Sequence, residues 1–221
     1  EFQIVNTPNI YSIWLGAPKT VPKLIYPMLY KLDNLTIDVK GNTFDFTKFP
    51  NISKLFYHIE LPIDSINLSS NIKIKDLSIW AKGSLNKLDI SALSELQNLS
   101  CGNCEIKELV LGTYPKLQRM NCQNNKLTGS MDLSGSPLLS DLDCHNNQLS
   151  LLDVHDCKKL FTMTCDNNKL DKINIAKTIL YRFYCRNNPD VNIYATHTVD
   201  HFYKDKSAKV HYMEGDNIDL W

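Results

Sequence analysis

Between Leu117 and Asn188 the chain repeats one short pattern at a nearly fixed spacing. Three copies agree closely, and a more divergent copy lies on each side of them. Their sixth residues are all cysteines, separated by steps of 21, 22, 21 and 20 residues: Cys101, Cys122, Cys144, Cys165 and Cys185. Such a period predicts a solenoid, because one repeat cannot bury its apolar face alone and stacked neighbours supply the cover.

Each copy contains a short alternating segment, such as the run from Met120 through Asn121 to Cys122. Alternation predicts a strand with one buried face, and stacked copies then form a parallel sheet with strands about 4.8 Å apart. The ninth residue falls where the chain turns off the strand, and an amide there can pair backbone groups of the turn. This predicts a structural ladder of Asn125, Asn147, Asn168 and Asn188. Cys104 replaces Asn in one copy, where we expect a weaker turn.

The template Leu-x-x-Leu-x-Cys-x-x-Asn-x-Leu resembles the leucine-rich repeat. It is most similar to the short repeats of bacterial surface leucine-rich repeat proteins, which include internalin-like adhesins. The resemblance implies an α/β-type but β-rich solenoid, a right-handed arc with a concave parallel β-sheet. Few residues separate each return segment from the next strand, so the convex side is expected to consist of short 3₁₀ or extended segments.

The pattern divides the chain into three regions. Residues 1–31 do not fit the repeat, contain one strand at 10–15, and are interpreted as an N-terminal cap or the tail of another domain. Residues 32–193 are the leucine-rich repeat solenoid, with about eight coils. Residues 194–221 are a C-terminal cap, with one or two closing strands over the aromatic segment 202–212.

The first coils are interpreted as irregular. Their sixth positions are assigned to Ile37, Leu61 and Ile79, which gives steps of 24 and 18 residues. Aliphatic side chains thus replace the later cysteines in a buried position of moderate volume.

Charge and hydropathy exclude several classes of function. Lys plus Arg and Asp plus Glu number 24 each, and a neutral chain without a basic run is a poor candidate for nucleic acid. No apolar run reaches the roughly 18–20 residues of a membrane-spanning helix. The chain starts at Glu1 without Met or signal peptide, so we expect a trimmed form of an extracellular or cell-surface protein.

The sequence contains no convincing catalytic or metal-binding group, and no cofactor is expected. The seven cysteines are interpreted as free buried thiols, since neighbours on parallel strands project side by side and fit a disulfide poorly. The six histidines are scattered. Asp143, His145 and Asp166 should lie together, but no nucleophile or oxyanion donor accompanies them, so a polar solvated face is favoured.

The candidate site is the outward face of the sheet, where the third, fifth and seventh residues of each copy point. Trp, Tyr and Arg are the usual anchors of protein interfaces. The predicted partner-binding residues are Trp80, Arg119, Asp141, Asp143, His145, Asp166, Arg182, Tyr184 and Arg186.

Two classes of function remain open at this point. The resemblance implies a monomeric, non-catalytic module that binds a protein partner through the concave sheet. The alternative is a carbohydrate-binding or enzyme-associated accessory module, because aromatic side chains on a rigid sheet also stack on sugars. Charged pairs along the face would favour a protein, and two or three coplanar exposed aromatic rings would favour a carbohydrate.

Overall fold

The computed structural model describes residues 11–15, 30–39, 44–188 and 190–213. The chain is a β-solenoid of parallel sheets, as the repeat predicts. It divides into two compact units, Glu1–Tyr114 and Pro115–Trp221. Within the described ranges the only helix is a 3₁₀ turn at Phe46–Lys48. None of these residues forms a helix long and apolar enough to cross a membrane.

The first unit stacks short parallel strands in two sheets. Its described strands are β1 (Ser12–Leu15), β2 (Asn34–Val39), β3 (Lys54–Ile59), β4 (Ile63–Ile66), β5 (Asp76–Ala81), β6 (Leu85–Asp89), β7 (Asn98–Ser100) and β8 (Glu108–Val110). Strands β1, β2, β3, β5 and β7 form the front sheet, in that order, and all of them except β1 were assigned to the repeat. Strands β4, β6 and β8 form the back sheet.

The second unit has the same design with more regular coils. Its described strands are β9 (Arg119–Asn121), β10 (Thr128–Asp132), β11 (Asp141–Asp143), β12 (Gln148–Asp153), β13 (Thr162–Thr164), β14 (Lys172–Asn174), β15 (Arg182–Tyr184), β16 (Asn192–Ala195), β17 (His201–Tyr203) and β18 (Lys209–Tyr212). Odd-numbered strands form its front sheet and even-numbered strands its back sheet. The return segments predicted as 3₁₀ or extended are therefore extended.

The core of the second unit consists of columns of equivalent residues. Met120, Leu142, Met163 and Phe183 occupy the fourth template position, face one another in register, and are all buried. The cysteines at the sixth template position, which we call the cysteine ladder, form the next buried column, one residue beyond each front strand. Burial of each such apolar side chain contributes about 1.5–3 kcal/mol to the free energy of folding. The predicted inward and outward assignment is confirmed here.

The assignment of the coil around β3 was wrong. Leu55 pairs in register with Leu77 and Tyr57 with Ile79, so the sixth position of this coil is Tyr57 rather than Leu61. Tyr57 is 1% exposed and Leu61 is 45% exposed. The steps from Ile37 become 20, 22 and 22 residues, so these coils are as regular as the later ones. The error arose because 52–57 and 56–61 both match the template, and only pairing with β5 decides between them.

The back strands end in a recurrent turn that the sequence dictates. An Asp or Asn closes four of these strands, and its side chain accepts a hydrogen bond from the backbone N–H two residues later. These bonds run from Ser91 to Asp89, from Ser134 to Asp132, from His155 to Asp153 and from Ala176 to Asn174, at 2.9–3.1 Å. The chain then turns back toward the next front strand.

The strands expected at both ends of the described chain are present. β1 pairs in parallel with β2, with Ile13 opposite Leu35. β17 and β18 continue the front and back sheets of the second unit, with Phe202 opposite Phe183 and Val210 opposite Ile193. Much of 1–31 and all of 214–221 lie outside the described residues, so the cap boundaries stay a prediction.

Candidate functional site

The outward face of the second unit's front sheet holds eight of the nine predicted partner-binding residues. Because the strands pair in register, equal template positions form straight columns. The third-position column is Arg119, Asp141, Thr162, Arg182 and His201. The fifth-position column is Asn121, Asp143, Thr164, Tyr184 and Tyr203.

Two ion pairs join adjacent coils on this face, and they differ in character. Arg119 Nε lies 3.9 Å from Asp141 Oδ2, with the side chains 72% and 51% exposed, so this pair contributes about 0–1 kcal/mol. Asp166 is nearly buried and accepts from Arg186 twice, at 2.5 Å from the backbone N–H and at 3.0 Å from the guanidinium. The Asp166 carboxylate raises the pKa of Arg186 and fixes the position of its side chain.

Aromatic rings gather beside these arginines. Tyr184 and Tyr203 stack with ring centroids 4.6 Å apart and an interplanar angle of 2°. The guanidinium carbon of Arg186 lies 6.0 Å from each centroid. The Tyr181 and His201 rings are in contact, with centroids 4.6 Å apart, and the Tyr181 hydroxyl shares a 2.9 Å hydrogen bond with His201 Nε2. The guanidinium of Arg182 lies over the Tyr181 ring. We call Tyr181, Arg182, Tyr184, Arg186, His201 and Tyr203 the tyrosine–arginine cluster.

Sequence reasoning missed half of this cluster. Tyr181 occupies the second template position, which was not assigned to the face. Phe161 holds the same position in the preceding coil, and its ring stacks on that of Tyr181 with centroids 5.1 Å apart. His201 and Tyr203 were placed in a cap, outside the repeat. The signal was present, since Phe202 flanked by His201 and Tyr203 repeats the pattern of Phe183 flanked by Arg182 and Tyr184.

The expected group of Asp143, His145 and Asp166 is only partly assembled. His145 Nδ1 lies 2.6 Å from Asp143 Oδ1, which makes a hydrogen-bonded pair. Asp166 is instead engaged by Arg186, as described above. The pair therefore orients an imidazole at the surface, while the third member serves to hold the arginine.

Trp80 lies in the first unit and is treated separately. It is 56% exposed on the outward face of the front sheet. Its ring stacks on His58, with centroids 4.7 Å apart and an angle of 19°. His58 Nδ1 lies 2.7 Å from Asp38 Oδ1, so the imidazole connects the tryptophan to a carboxylate on the next strand.

The predicted Asn ladder has the expected role and binds adjacent coils together. Asn147 Nδ2 donates to the carbonyls of Cys144 and, in the preceding coil, Cys122, both at 3.1 Å. Its Oδ1 accepts from the N–H of Leu127 at 3.1 Å. Asn168 and Asn188 repeat the arrangement.

The turn at Cys104, which was expected to be weaker, uses different partners. Its Sγ lies 3.5 Å from the carbonyl of Ile79, the sixth residue of the preceding coil, so the thiol replaces the amide as donor. The Leu85 N–H donates to the backbone carbonyl of Cys104 at 2.9 Å. The backbone carbonyl of Cys104 thus takes the acceptor role that an Asn side-chain oxygen has in the later coils, because a thiol sulfur is only a weak acceptor.

A second asparagine ladder was not predicted. Asn124, Asn146, Asn167 and Asn187 all adopt positive φ between 51° and 57°, the left-handed region that Asn tolerates better than most residues. The side-chain amides of the last three donate to the Oδ1 of the preceding rung, at 2.5–2.6 Å. This outer ladder forms a continuous chain of amides along the solvent side of the turns.

All seven cysteines are buried thiols outside any disulfide, as predicted. Burial raises the pKa of Cys104 to about 11 and that of Cys122 and Cys157 to about 12. Burial also raises the pKa of Cys144, Cys165 and Cys185. Protonated, enclosed thiols are poor nucleophiles, so the column acts as core.

Comparison with known proteins supports the fold. No family model matches the sequence, and no curated protein matches it. A solved structure that matches is described as the functional domain of InlJ from Listeria monocytogenes, which includes a cysteine ladder. It is 18% identical in sequence with a TM-score of 0.52. The match covers 84% of this chain and 51% of that one, so the chain spans about half the length of the InlJ structure.

Proposed function

We propose that the chain is a non-catalytic, protein-binding leucine-rich repeat module of a bacterial surface or secreted protein. The binding surface is the outward face of the front sheet. The observation that carries the proposal is the tyrosine–arginine cluster, a group of exposed and half-buried Tyr, Arg and His side chains held in place before any partner arrives. The cysteine ladder and the likeness of the fold to an InlJ domain support the assignment to this type of repeat.

Preorganisation makes this cluster suitable for binding. Arg186 is fixed by Asp166, whose side chain is only 13% exposed, and the stacked rings of Tyr184 and Tyr203 restrict each other. Side chains that are ordered beforehand lose less entropy when a partner binds. Tyr and Arg are also the residues that most often dominate the energy of an interface.

The charges of the face favour a protein partner. The third-position column contains side chains of both signs, and its Arg119 and Asp141 are both exposed and weakly paired. Such charges can exchange their partners for groups on another protein and set its orientation and association rate. A mixed pattern of this kind matches a protein surface better than a neutral sugar.

A carbohydrate partner is the second candidate, and one observation favours it. Tyr184 and Tyr203 are adjacent aromatic rings on this face whose planes are parallel within 2°, although they are stacked and do not meet the criterion of coplanar exposed rings. The rings face each other at 4.6 Å, however, so the inner face of each is already covered. Stacking on a sugar requires an open ring face, and this pair therefore fits edge contacts with a protein better.

The test is capture of partners from surface and secreted proteins of the organism that carries the chain, with a glycan array in parallel. We expect Tyr203→Ala and Arg182→Glu to fold normally and to lose the protein captured by the parent. Lys158→Glu, an exposed change outside the front strands, is the matched control and should retain it. Arg186→Glu is unsuitable, because it would place a second carboxylate against Asp166.

The outcomes separate the candidates. Loss of one protein in both front-sheet variants, with retention in the control, supports the proposal. Glycan binding that depends on Tyr203, without protein capture, favours the carbohydrate candidate. Capture that survives both front-sheet changes but fails in the control would move the binding surface elsewhere.

A further inference from the structure

We propose that Asp38, His58 and Glu60 form a binding site for a divalent transition-metal cation such as Zn²⁺. One ligand atom from each residue lies within 4.8 Å of the others, which is close enough to surround one ion after small side-chain movements. The site lies in the first unit and is independent of the tyrosine–arginine cluster.

Strand register brings the three residues together. Asp38 on β2 is directly opposite His58 on β3, so their side chains leave the sheet side by side. Glu60 follows two residues after His58, and residues two apart on an extended chain point to the same side. The three side chains therefore converge although 22 residues separate the first from the last.

His58 is held as a metal ligand requires. Its side chain is 12% exposed, its ring plane is fixed by stacking on Trp80, and Nδ1 lies 2.7 Å from Asp38. Nε2 is buried and has no hydrogen-bond partner among the described residues. The stacking on Trp80 and the contact with Asp38 therefore fix the ring with Nδ1 toward the Asp38 carboxylate, and Nδ1 is the nitrogen that would bind the ion.

The donor set selects the class of cation. One imidazole nitrogen and two carboxylates are ligands for Zn²⁺ and related transition metals, whereas Ca²⁺ prefers six to eight oxygen ligands. Two carboxylates beside one imidazole also supply the negative charge that balances a dication. Three protein ligands leave a fourth position for water or for a group from another molecule.

Other histidines in the described chain provide a useful contrast. His155 also has two acidic neighbours, but Asp153 lies 2.8 Å from Nδ1 and Asp156 lies 3.2 Å from Nε2, on opposite sides of the ring. His145 has Asp143 alone within ion-pair distance. Only at His58 do three such groups converge within the described residues.

The stacked tryptophan provides a direct readout. The chain has three tryptophans, and Trp14→Phe with Trp221→Phe leaves Trp80 as the sole tryptophan. In untagged protein of this background, we expect Co²⁺ to quench Trp80 fluorescence saturably at one equivalent, because Trp80 lies against the proposed ligand. Zn²⁺, which does not quench, should displace Co²⁺ and restore the signal, and it should also raise the midpoint of thermal unfolding.

Variants of the carboxylates decide the assignment. Asp38→Asn and Glu60→Gln keep the shape of each side chain, and each should weaken Co²⁺ binding at least tenfold. His145→Gln removes a histidine from the other Asp–His pair and should leave binding unchanged. Quenching that is not saturable, that persists unchanged in both carboxylate variants, or that is lost in His145→Gln would overturn the proposal.

Discussion

Alkaline pH should unfold this protein through its buried thiols. Five cysteines of the second unit, at 122, 144, 157, 165 and 185, are buried with a raised pKa. A thiol in the unfolded chain has the ordinary pKa of 9.0 and ionises first. A group with a raised pKa in the folded state contributes its full stability below pH 9. That stability is lost as the pH rises toward the folded value, which is about 12 for Cys122.

The magnitude follows from linkage. At pH 10 an unfolded thiol with a pKa of 9.0 is stabilised by RT ln 11, or about 1.4 kcal/mol, while the folded thiol stays protonated. Five independent thiols therefore cost about 7 kcal/mol relative to neutral pH. A domain of ordinary stability has about 5–15 kcal/mol in total, so the loss is decisive.

Urea denaturation at about pH 7.5 and pH 10, in reducing buffer without oxygen, measures this loss. Replacing two ladder thiols, as in Cys144→Val with Cys165→Val, should reduce the loss between the two pH values by about 3 kcal/mol. Met120→Leu is the matched control, because it changes the adjacent core column and keeps every thiol. An equal loss in the double variant and the parent would refute the linkage argument.

Three further predictions test the buried core, the ladder of Asn125, Asn147, Asn168 and Asn188, and the buried thiols. Leu142→Ala, at a buried position with neighbours on both sides, should lower the free energy of unfolding by about 2–5 kcal/mol in chemical denaturation. Asn147→Ala should cost about 1–3 kcal/mol, because it leaves the Leu127 N–H unpaired and removes one of the two side-chain amide donors to the carbonyls of Cys122 and Cys144, and exposed Lys126→Ala provides the comparison in the same assay. A maleimide titration should count few reactive thiols in the native state and seven after denaturation without reductant; a native disulfide between ladder positions would contradict it.

The second unit was predictable because its coils carry a redundant pattern. Cys122, Cys144 and Cys165 mark one buried slot at almost equal steps, so strand, register and face all followed from them. Near β3 the overlapping segments 52–57 and 56–61 both match the template, and alternation alone does not choose between them. Pairing with β5 decides, and the near-constant step from Ile37 through Tyr57 to Ile79 was the available clue.

The candidate sites depend on distances that a repeat does not encode. Asp166 and Arg186 hold the same template position in neighbouring coils, and they form an ion pair. The repeat did not reveal that this carboxylate is nearly buried, or that Arg186 spans two stacked rings. The convergence of Asp38, His58 and Glu60 required the corrected register of β3, since the earlier assignment put Glu60 and His58 beside other partners.

The outer ladder of asparagines has a direction, and this determines how the molecule would tolerate chemical ageing. Each amide from Asn146 to Asn187 donates toward the coil before it, while Asn124 only accepts within the ladder. Hydrolysis of the side-chain amide of Asn146, Asn167 or Asn187 to a carboxylate removes the donor, and an oxygen of the new carboxylate then faces the Oδ1 of the preceding asparagine. The same reaction at Asn124 keeps its single bond and strengthens it, because a charged acceptor replaces a neutral one. Damage of one chemical kind is therefore harmful along the ladder and harmless at its first rung.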